Sequence, residues 1–346
     1  MGLTNLRKLD LSYNTLTSLP EQIFSGLSVL SELNLEMNRL QDMQPLVFAS
    51  TPHLCSLHLG YNTDLGKSIM KSADFLTVAL QRNLSYLALN NMSITKFPNH
   101  LFSTASQLKD LSVADNPMKS VEMFSSSLDT LNLSGIEVEV IQSGDFISYP
   151  KLKKLNLDRL IHLKSVQKNA FEGLKSLEVL TMENCIQLFE FDEQAFGGPQ
   201  SVDVPLKSLS LSRCGLHTLS SKTLVPLEPT LEYLALDGNP WRCDCKLVWI
   251  RRINFSLAHT DYLRQVQTIS NRVTKSCTQL RNTGLFENIV GSLTTCHTQY
   301  ASDSSICVFL FKKQHSKFLL HTLQVLYMCT LCDSTNINTI IEFVPN

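Results

Sequence analysis

One template, LxxLxLxxNxL, recurs through most of the chain and leaves few folds open to it. It appears as LRKLDLSYNTL (6–16), LSELNLEMNRL (30–40), LCSLHLGYNTDL (54–65), LSYLALNNMSI (84–94) and LKDLSVADNPM (108–118). It continues as LDTLNLSGIEV (128–138), LKKLNLDRLIHL (152–163), LEVLTMENCIQL (177–188), LKSLSLSRCGL (206–216) and LEYLALDGNPW (231–241). Start-to-start spacings are 24, 24, 30, 24, 20, 24, 25, 29 and 25 residues. Self-similarity at this period marks a solenoid, in which each unit buries its apolar side only by stacking on its neighbours. The LxL core alternates with the period of a strand. The spacing therefore predicts one short strand per unit, stacked in parallel with leucines inward.

Two further positions keep phase. Phe24, Phe48, Phe102, Phe146, Phe171 and Phe196 fall between templates and are expected to fill the opposite side of the same core. Position 9 of the template is Asn at Asn14, Asn38, Asn62, Asn116 and Asn239, where it can turn the chain and bond the backbone of adjacent turns. Cys185 and Cys214 hold that position as small buried polar substitutes, whereas Met92, Ile136 and Leu160 interrupt the ladder.

This spacing resembles the leucine-rich repeat, in the 24-residue form found in extracellular proteins. The resemblance covers residues 3–241 and ten units. It implies an α/β repeat solenoid: a curved horseshoe with a parallel sheet on the concave side and a mostly irregular convex side. The 30- and 29-residue units carry insertions, GKSIMKSADFLTVALQRN and GGPQSVDVP. Insertions in solenoids map to surface loops, which often bind.

A solenoid leaves its last apolar layer open and needs a cap. The stretch NPWRCDCKLVWI follows the tenth unit, with Trp241 and Trp249 as large apolar plugs and Cys243 and Cys245 one residue apart. Their partners should lie downstream, at Cys277 and Cys296, and sequence alone leaves three connectivities open. Residues 239–297 resemble the cysteine-rich C-terminal cap of extracellular leucine-rich-repeat proteins. That resemblance implies a disulfide-bonded cap paired Cys243–Cys277 and Cys245–Cys296. Each bond would close a loop of roughly 35–50 residues, worth on the order of 3–4 kcal/mol in the chain-entropy picture. The segment VTKSCTQLRNTG departs from the family in lacking a proline. Structural zinc prefers paired C-x₂₋₄-C knuckles, which these four cysteines do not form. Cys329 and Cys332 have knuckle spacing but no second pair. No metal or cofactor is expected.

An oxidised cap places the parent protein outside the cell or on its surface. Four glycosylation sequons agree, at Asn83, Asn91, Asn132 and Asn254. Asn132 falls on the concave strand face, where a glycan would block part of it. The N-terminus shows no signal peptide and begins inside a repeat, so the expectation is a partial sequence of a longer secreted or membrane protein. Residues 298–346 carry no repeat and are expected to be a poorly ordered or non-native tail. Their longest apolar run, FLLHTLQVLYMCTLC, is short for a membrane span and contains His321 and Gln324. A span is thus expected to be lost or absent in this chain.

No catalytic motif appears, so the chain does not read as an enzyme. The formal net charge of −1 gives no reason to expect a nucleic-acid partner. What remains is the outward face of the predicted sheet. Its candidate ligand-binding residues are Tyr13, Glu36, His58, Tyr61, Tyr86, Asn90, Lys154, Asp158, Arg159 and Tyr233. Tyrosines among mixed charges on a rigid platform suit recognition of a protein ligand. The function expected is an extracellular recognition module of an adhesion molecule or cell-surface receptor. Two alternatives are a fragment of a Toll-like innate receptor ectodomain and an intracellular repeat scaffold.

Overall fold

The computed structural model describes residues 3–198, 204–227, 229–241, 297–301 and 304–308. Ten three-residue strands form a single parallel sheet, one strand per repeat. They are β1 (Lys8–Asp10), β2 (Glu32–Asn34), β3 (Ser56–His58), β4 (Tyr86–Ala88), β5 (Asp110–Ser112), β6 (Thr130–Asn132), β8 (Lys154–Asn156), β10 (Val179–Thr181), β12 (Ser208–Ser210) and β13 (Tyr233–Ala235). Every pairing keeps the template in phase. Leu9, Leu33, Leu57, Leu87, Leu111, Leu131, Leu155, Leu180, Leu209 and Leu234 therefore form one continuous inward row. A one-residue slip would turn every leucine out to water, so the hydrophobic pattern itself fixes the register.

Four of the five position-9 asparagines act as expected. Asn62 donates to the carbonyls of Leu35, one turn back, and Leu59, in its own turn, at 3.0 and 2.8 Å. Its oxygen accepts from Leu40 N at 3.1 Å. Asn38, Asn116 and Asn239 repeat this pattern. Cys185 and Cys214 replace it with single S–H donations to Leu157 O and Met182 O. The hydrogen bond with Cys214 and burial both push the Cys185 thiol up, so it stays protonated. Asn14 bonds only carbonyls of its own turn.

The phenylalanine row forms two stacks, Phe24–Phe48 and Phe146–Phe171–Phe196, with ring centroids 5.1–6.1 Å apart. Between them the period breaks and other aromatics fill in. Phe97, Phe102 and Phe124 form an edge-to-face cluster. From the unit after the 20-residue one, the buried Tyr149 hydroxyl accepts from Phe124 N and donates to Glu122 O, so one side chain joins a shortened turn to its neighbour.

The convex side consists mostly of turns, with local exceptions. A second parallel sheet runs β7 (Val140–Ile141), β9 (Ser165–Val166), β11 (Glu190–Phe191). A short helix, Ser221–Leu224, precedes a 3₁₀ turn at Val225–Leu227. The 30-residue unit is the larger departure from expectation. Its insertion folds as two helices, α1 (Thr63–Lys71) and α2 (Asp74–Leu80), rather than as a surface loop. The reason is legible in the residues: Leu65, Ile69, Phe75, Leu76, Ala79 and Leu80 are all buried and join the core, with Phe75 packed on Phe48. Asn62 precedes α1 without capping it, because its carboxamide is committed to the ladder.

Beyond the repeats, β14 (His297–Ala301) and β15 (Ser304–Val308) pair antiparallel, unlike any strand of the solenoid. No described helix is long and apolar enough to cross a membrane. Cys243, Cys245, Cys277, Cys296 and Asn254 lie outside the described residues, as does most of the 298–346 segment.

Candidate functional site: the exposed face of the ten-stranded sheet

On each strand the middle residue faces the core and its two neighbours face out. The outward side chains therefore form lateral rows across ten repeats, spaced by the interstrand distance of about 4.8 Å. Position 8 of every template, just past the strand, is left-handed: Tyr13, Met37, Tyr61, Asn91, Asp115, Gly135, Arg159, Asn184, Arg213 and Gly238 have φ between +50° and +75°. Eight of these ten are not glycine. Each non-glycine costs on the order of 1 kcal/mol there. Tyr13, Tyr61 and Arg159 thus stand on a turn at the rim of the sheet, with Tyr13 77% exposed and Tyr61 39%. The sequence pattern alone placed them among the strand side chains.

From the fourth repeat onward the face is hydrogen-bonded to itself. Asn90 Oδ1 accepts from Ser112 Oγ at 2.6 Å and from Ala114 N at 3.0 Å. Asn132 donates to Ser112 Oγ and accepts from Ser134 N. Ser134 Oγ accepts from Asp158 N, and Asp158 accepts from Glu183 N and Thr181 Oγ1. Ser210 donates to Glu183, and Ser212 donates to Asp237 at 2.6 Å. Asn90 and Asp158 are therefore parts of a belt that ties successive turns together. Lys154 stands exposed on β8, and Tyr233 on β13 is 38% exposed.

One long-range pair crosses this region. Arg159 places one terminal nitrogen 2.9 Å from both oxygens of Asp115, two repeats away. The intervening position is Gly135, where a Cβ would sit 2.1 Å from Asp115 Oδ1. That hydrogen bond holds the Arg159 guanidinium above its usual range. Both partners are more than a third exposed, so the pair shapes the surface more than it stabilises the fold.

The N-terminal repeats differ. Glu36, His58 and Tyr86 run diagonally over three turns. His58 Nδ1 lies 3.8 Å from Glu36 Oε1, its Nε2 lies 3.1 Å from Ser56 Oγ, and its ring centroid is 4.7 Å from that of Tyr86. Burial, then the nearby carboxylates of Glu36 and Asp110, pushes the Tyr86 phenol up. The candidates thus divide into a compact aromatic–carboxylate cluster, a rim and a structural belt.

The sequons divide as well. Asn83 is exposed and donates to Pro52 O. Asn91 is an exposed rim residue. Asn132 is half-buried with its amide engaged by Ser112. Sequence reasoning missed one further concavity, a 410 Å³ cleft by the second sheet, lined in part by Ser165, Lys168, Asn169, Glu190 and Asp192. There Asn169 Oδ1 is buried without a hydrogen-bond partner. The strands Ser165–Val166 and Glu190–Phe191 and the turns that follow them line the cleft, and no template position marks them.

A ten-turn parallel solenoid with an asparagine ladder and a polar exposed sheet is the leucine-rich-repeat fold of this chain. Two family models match it: "Leucine rich repeat" over residues 1–40, and "BspA type Leucine rich repeat region (6 copies)" over residues 80–203. "Transforming growth factor beta activator LRRC33" of Danio rerio is 29% identical over 251 residues, 70% of this chain and 32% of that protein. "Tsukushi" of Gallus gallus is 28% identical over 239 residues, 69% of this chain and 62% of that protein. The chain spans less than two thirds of the length of either. A chain of the glycosylated Drosophila Toll–Spatzle complex superposes with a TM-score of 0.51 at 18% identity, over 65% of this chain and 29% of that one, which shows a shared fold.

Proposed function

We propose that this chain is an extracellular protein-recognition module that binds a protein ligand on the exposed face of its ten-stranded sheet. One observation carries the reading. The sheet is held rigid by its buried leucine row and polar belt, while Tyr13, Tyr61, Glu36, His58 and Tyr86 are left to present aromatic and charged groups outward. Rigid aromatic anchors beside charges are the composition of binding hot spots. A near-neutral chain supports a protein partner over a nucleic-acid one.

The relatives support the same direction, since one is named an activator of transforming growth factor beta and a chain sharing the fold comes from the Toll–Spatzle complex. That complex also favours the second reading, part of a Toll-like receptor ectodomain. Secretory-pathway features complete the proposal: a cap closed by Cys243–Cys277 and Cys245–Cys296, and glycans at Asn83, Asn91 and Asn254, with Asn132 left unmodified because its amide bonds Ser112 on the binding face.

The test is secretion from eukaryotic cells behind a heterologous leader, then a non-reducing peptide map and a binding screen against secreted protein ligands. The expected result is two linked cap peptides and a ligand whose binding falls with Tyr61→Ala or Arg159→Ala but not with Lys175→Ala on the convex side. Four free cap thiols would overturn the extracellular reading and favour an intracellular scaffold. Ligands lost only by the convex substitution would overturn the proposed binding face.

A further inference from the structure

Polar groups on the ten-stranded face are largely spent on one another, whereas those beside the second sheet are not. There the strands register Val140↔Ser165 and Ser165↔Glu190, and three successive turns line the 410 Å³ cleft. That volume lies within the ~300–1,000 Å³ usual for small-molecule sites. Ser143 comes from the first turn, Lys168 and Asn169 from the second, and Glu190 and Asp192 from the third. The side chains of Ser143, Ser165, Gln167, Lys168 and Glu190 make no hydrogen bond or ion pair among the described residues. Asp192 spends one carboxylate oxygen on Gln194 N, at 2.7 Å. Asn169 Oδ1 is buried and has no hydrogen-bond partner among the described residues. The Asn169 backbone is left-handed, with φ +59°, and is held from both sides: its N donates to Gln194 O at 2.9 Å and its O accepts from Gly144 N at 3.4 Å. The carboxamide therefore starts from a fixed point, and rotation within its broad χ2 well turns the oxygen toward the cleft.

We propose that this cleft is a binding site for a neutral saccharide. A hydroxyl both donates and accepts, so a sugar ring can meet carboxylates, a carboxamide, serines and an ammonium within one small space. Glu190 and Asp192 accept from its hydroxyls in charge-assisted bonds, Lys168 donates to one of its oxygens, and Asn169 Oδ1 gains the donor it lacks. Other ligand classes fit worse. A protein partner anchors through aromatic or apolar side chains, and Val166, itself buried, is the apolar member of the lining. An anion would face two carboxylates, and a cation would face Lys168. The site lies on a different sheet from the proposed protein-binding face and does not depend on it.

The experiment is saturation-transfer NMR on the full secreted chain, after enzymatic removal of N-linked glycans. The probes are the methyl glycosides of glucose, galactose, mannose and N-acetylglucosamine. The expected result is saturable, millimolar binding of at least one of them. Asn169→Gly keeps the left-handed backbone accessible and removes only the carboxamide, and it should weaken that binding about tenfold. Glu190→Gln should weaken it severalfold, whereas Glu36→Gln on the ten-stranded face should leave it unchanged. Thermal melts confirm that each variant is folded. The same sugar coupled to albumin separates two sources of the ligand: capture of the conjugate assigns a glycan of another glycoprotein, and capture of the free glycoside alone assigns a free saccharide. No saturable binding by any of the four glycosides overturns the site. So does binding that survives both Asn169→Gly and Glu190→Gln, which would place the sugar elsewhere on the chain.

Discussion

Replacing Asn116 by alanine separates the ladder from ordinary surface polarity. Asn116 is buried, and its oxygen accepts from Met92 N and Ile94 N, each at 3.0 Å. Its amide donates to Leu89 O and Val113 O, each at 2.8 Å. Truncation strands four backbone groups in the interior of the coil. At a net worth of about 1 kcal/mol per hydrogen bond, the loss is about 4 kcal/mol. For a unit of this size that corresponds to a fall in melting temperature of about 8–16 °C. Asn14 is the internal control. It holds the same template position but is exposed and makes two bonds to its own turn. Water replaces those bonds, so Asn14→Ala should cost under about 1 kcal/mol. Asn116→Cys should fall between the two, because Cys185 and Cys214 serve at this position through single donations. Calorimetry of the secreted variants at neutral pH reads all three. Equal losses for Asn14→Ala and Asn116→Ala would refute the argument that bonds between turns, rather than the turn itself, make this residue necessary.

Other perturbations probe separate joints. Gly66→Ala should destabilise by about 3 kcal/mol, since the new Cβ would sit 1.9 Å from the Met92 carbonyl oxygen; a gain, as helix propensity alone expects, would show that α1 is not seated there. Phe171→Ala should cost about 3–5 kcal/mol by opening the stack with Phe146 and Phe196, measured by chemical denaturation; a loss near 1 kcal/mol would show that the stack is not tightly packed. Hydrogen bonds from Lys164, Lys207 and Lys222 hold Glu139, Glu178 and Glu193 below the usual carboxylate range. A depressed carboxylate stabilises the fold above its unfolded pKa and loses that contribution as pH falls through the lowered folded value. Melting temperature should therefore drop below about pH 4, and less steeply in Glu178→Gln. Burial pushes Glu122 and Asp145 upward, so they oppose the trend; a parent and Glu178→Gln with identical acid profiles would remove the inter-repeat ion pairs from the account.

The sequence by itself determined the solenoid. A template repeated ten times admits one stacking register, because any other exposes the leucine row. It determined the ladder too, and the departures from Asn correctly marked where the ladder would break. The phenylalanine phase identified the two regular stacks but not Phe75, Phe97, Phe124 or Tyr149, which fill the core in and next to the 30- and 20-residue units. Those off-phase aromatics were visible in the sequence, yet their role depends on the space that irregular turns leave. The same holds for the insertion, whose apolar spacing could form helices but whose burial depended on where the coil had room.

On the sheet face the sequence told only which residues point outward. Tertiary structure decided which are spoken for. Asn90 and Asp158 read as ligand candidates and proved to be bonded across turns, while Glu36, His58 and Tyr86, scattered over fifty residues of sequence, came together on a diagonal. The physical reason is that a repeat pattern encodes contacts at one spacing, the distance from a turn to its neighbour. Side-chain partners on the surface are chosen by reach and direction across several turns, and those exist only once the coil is closed.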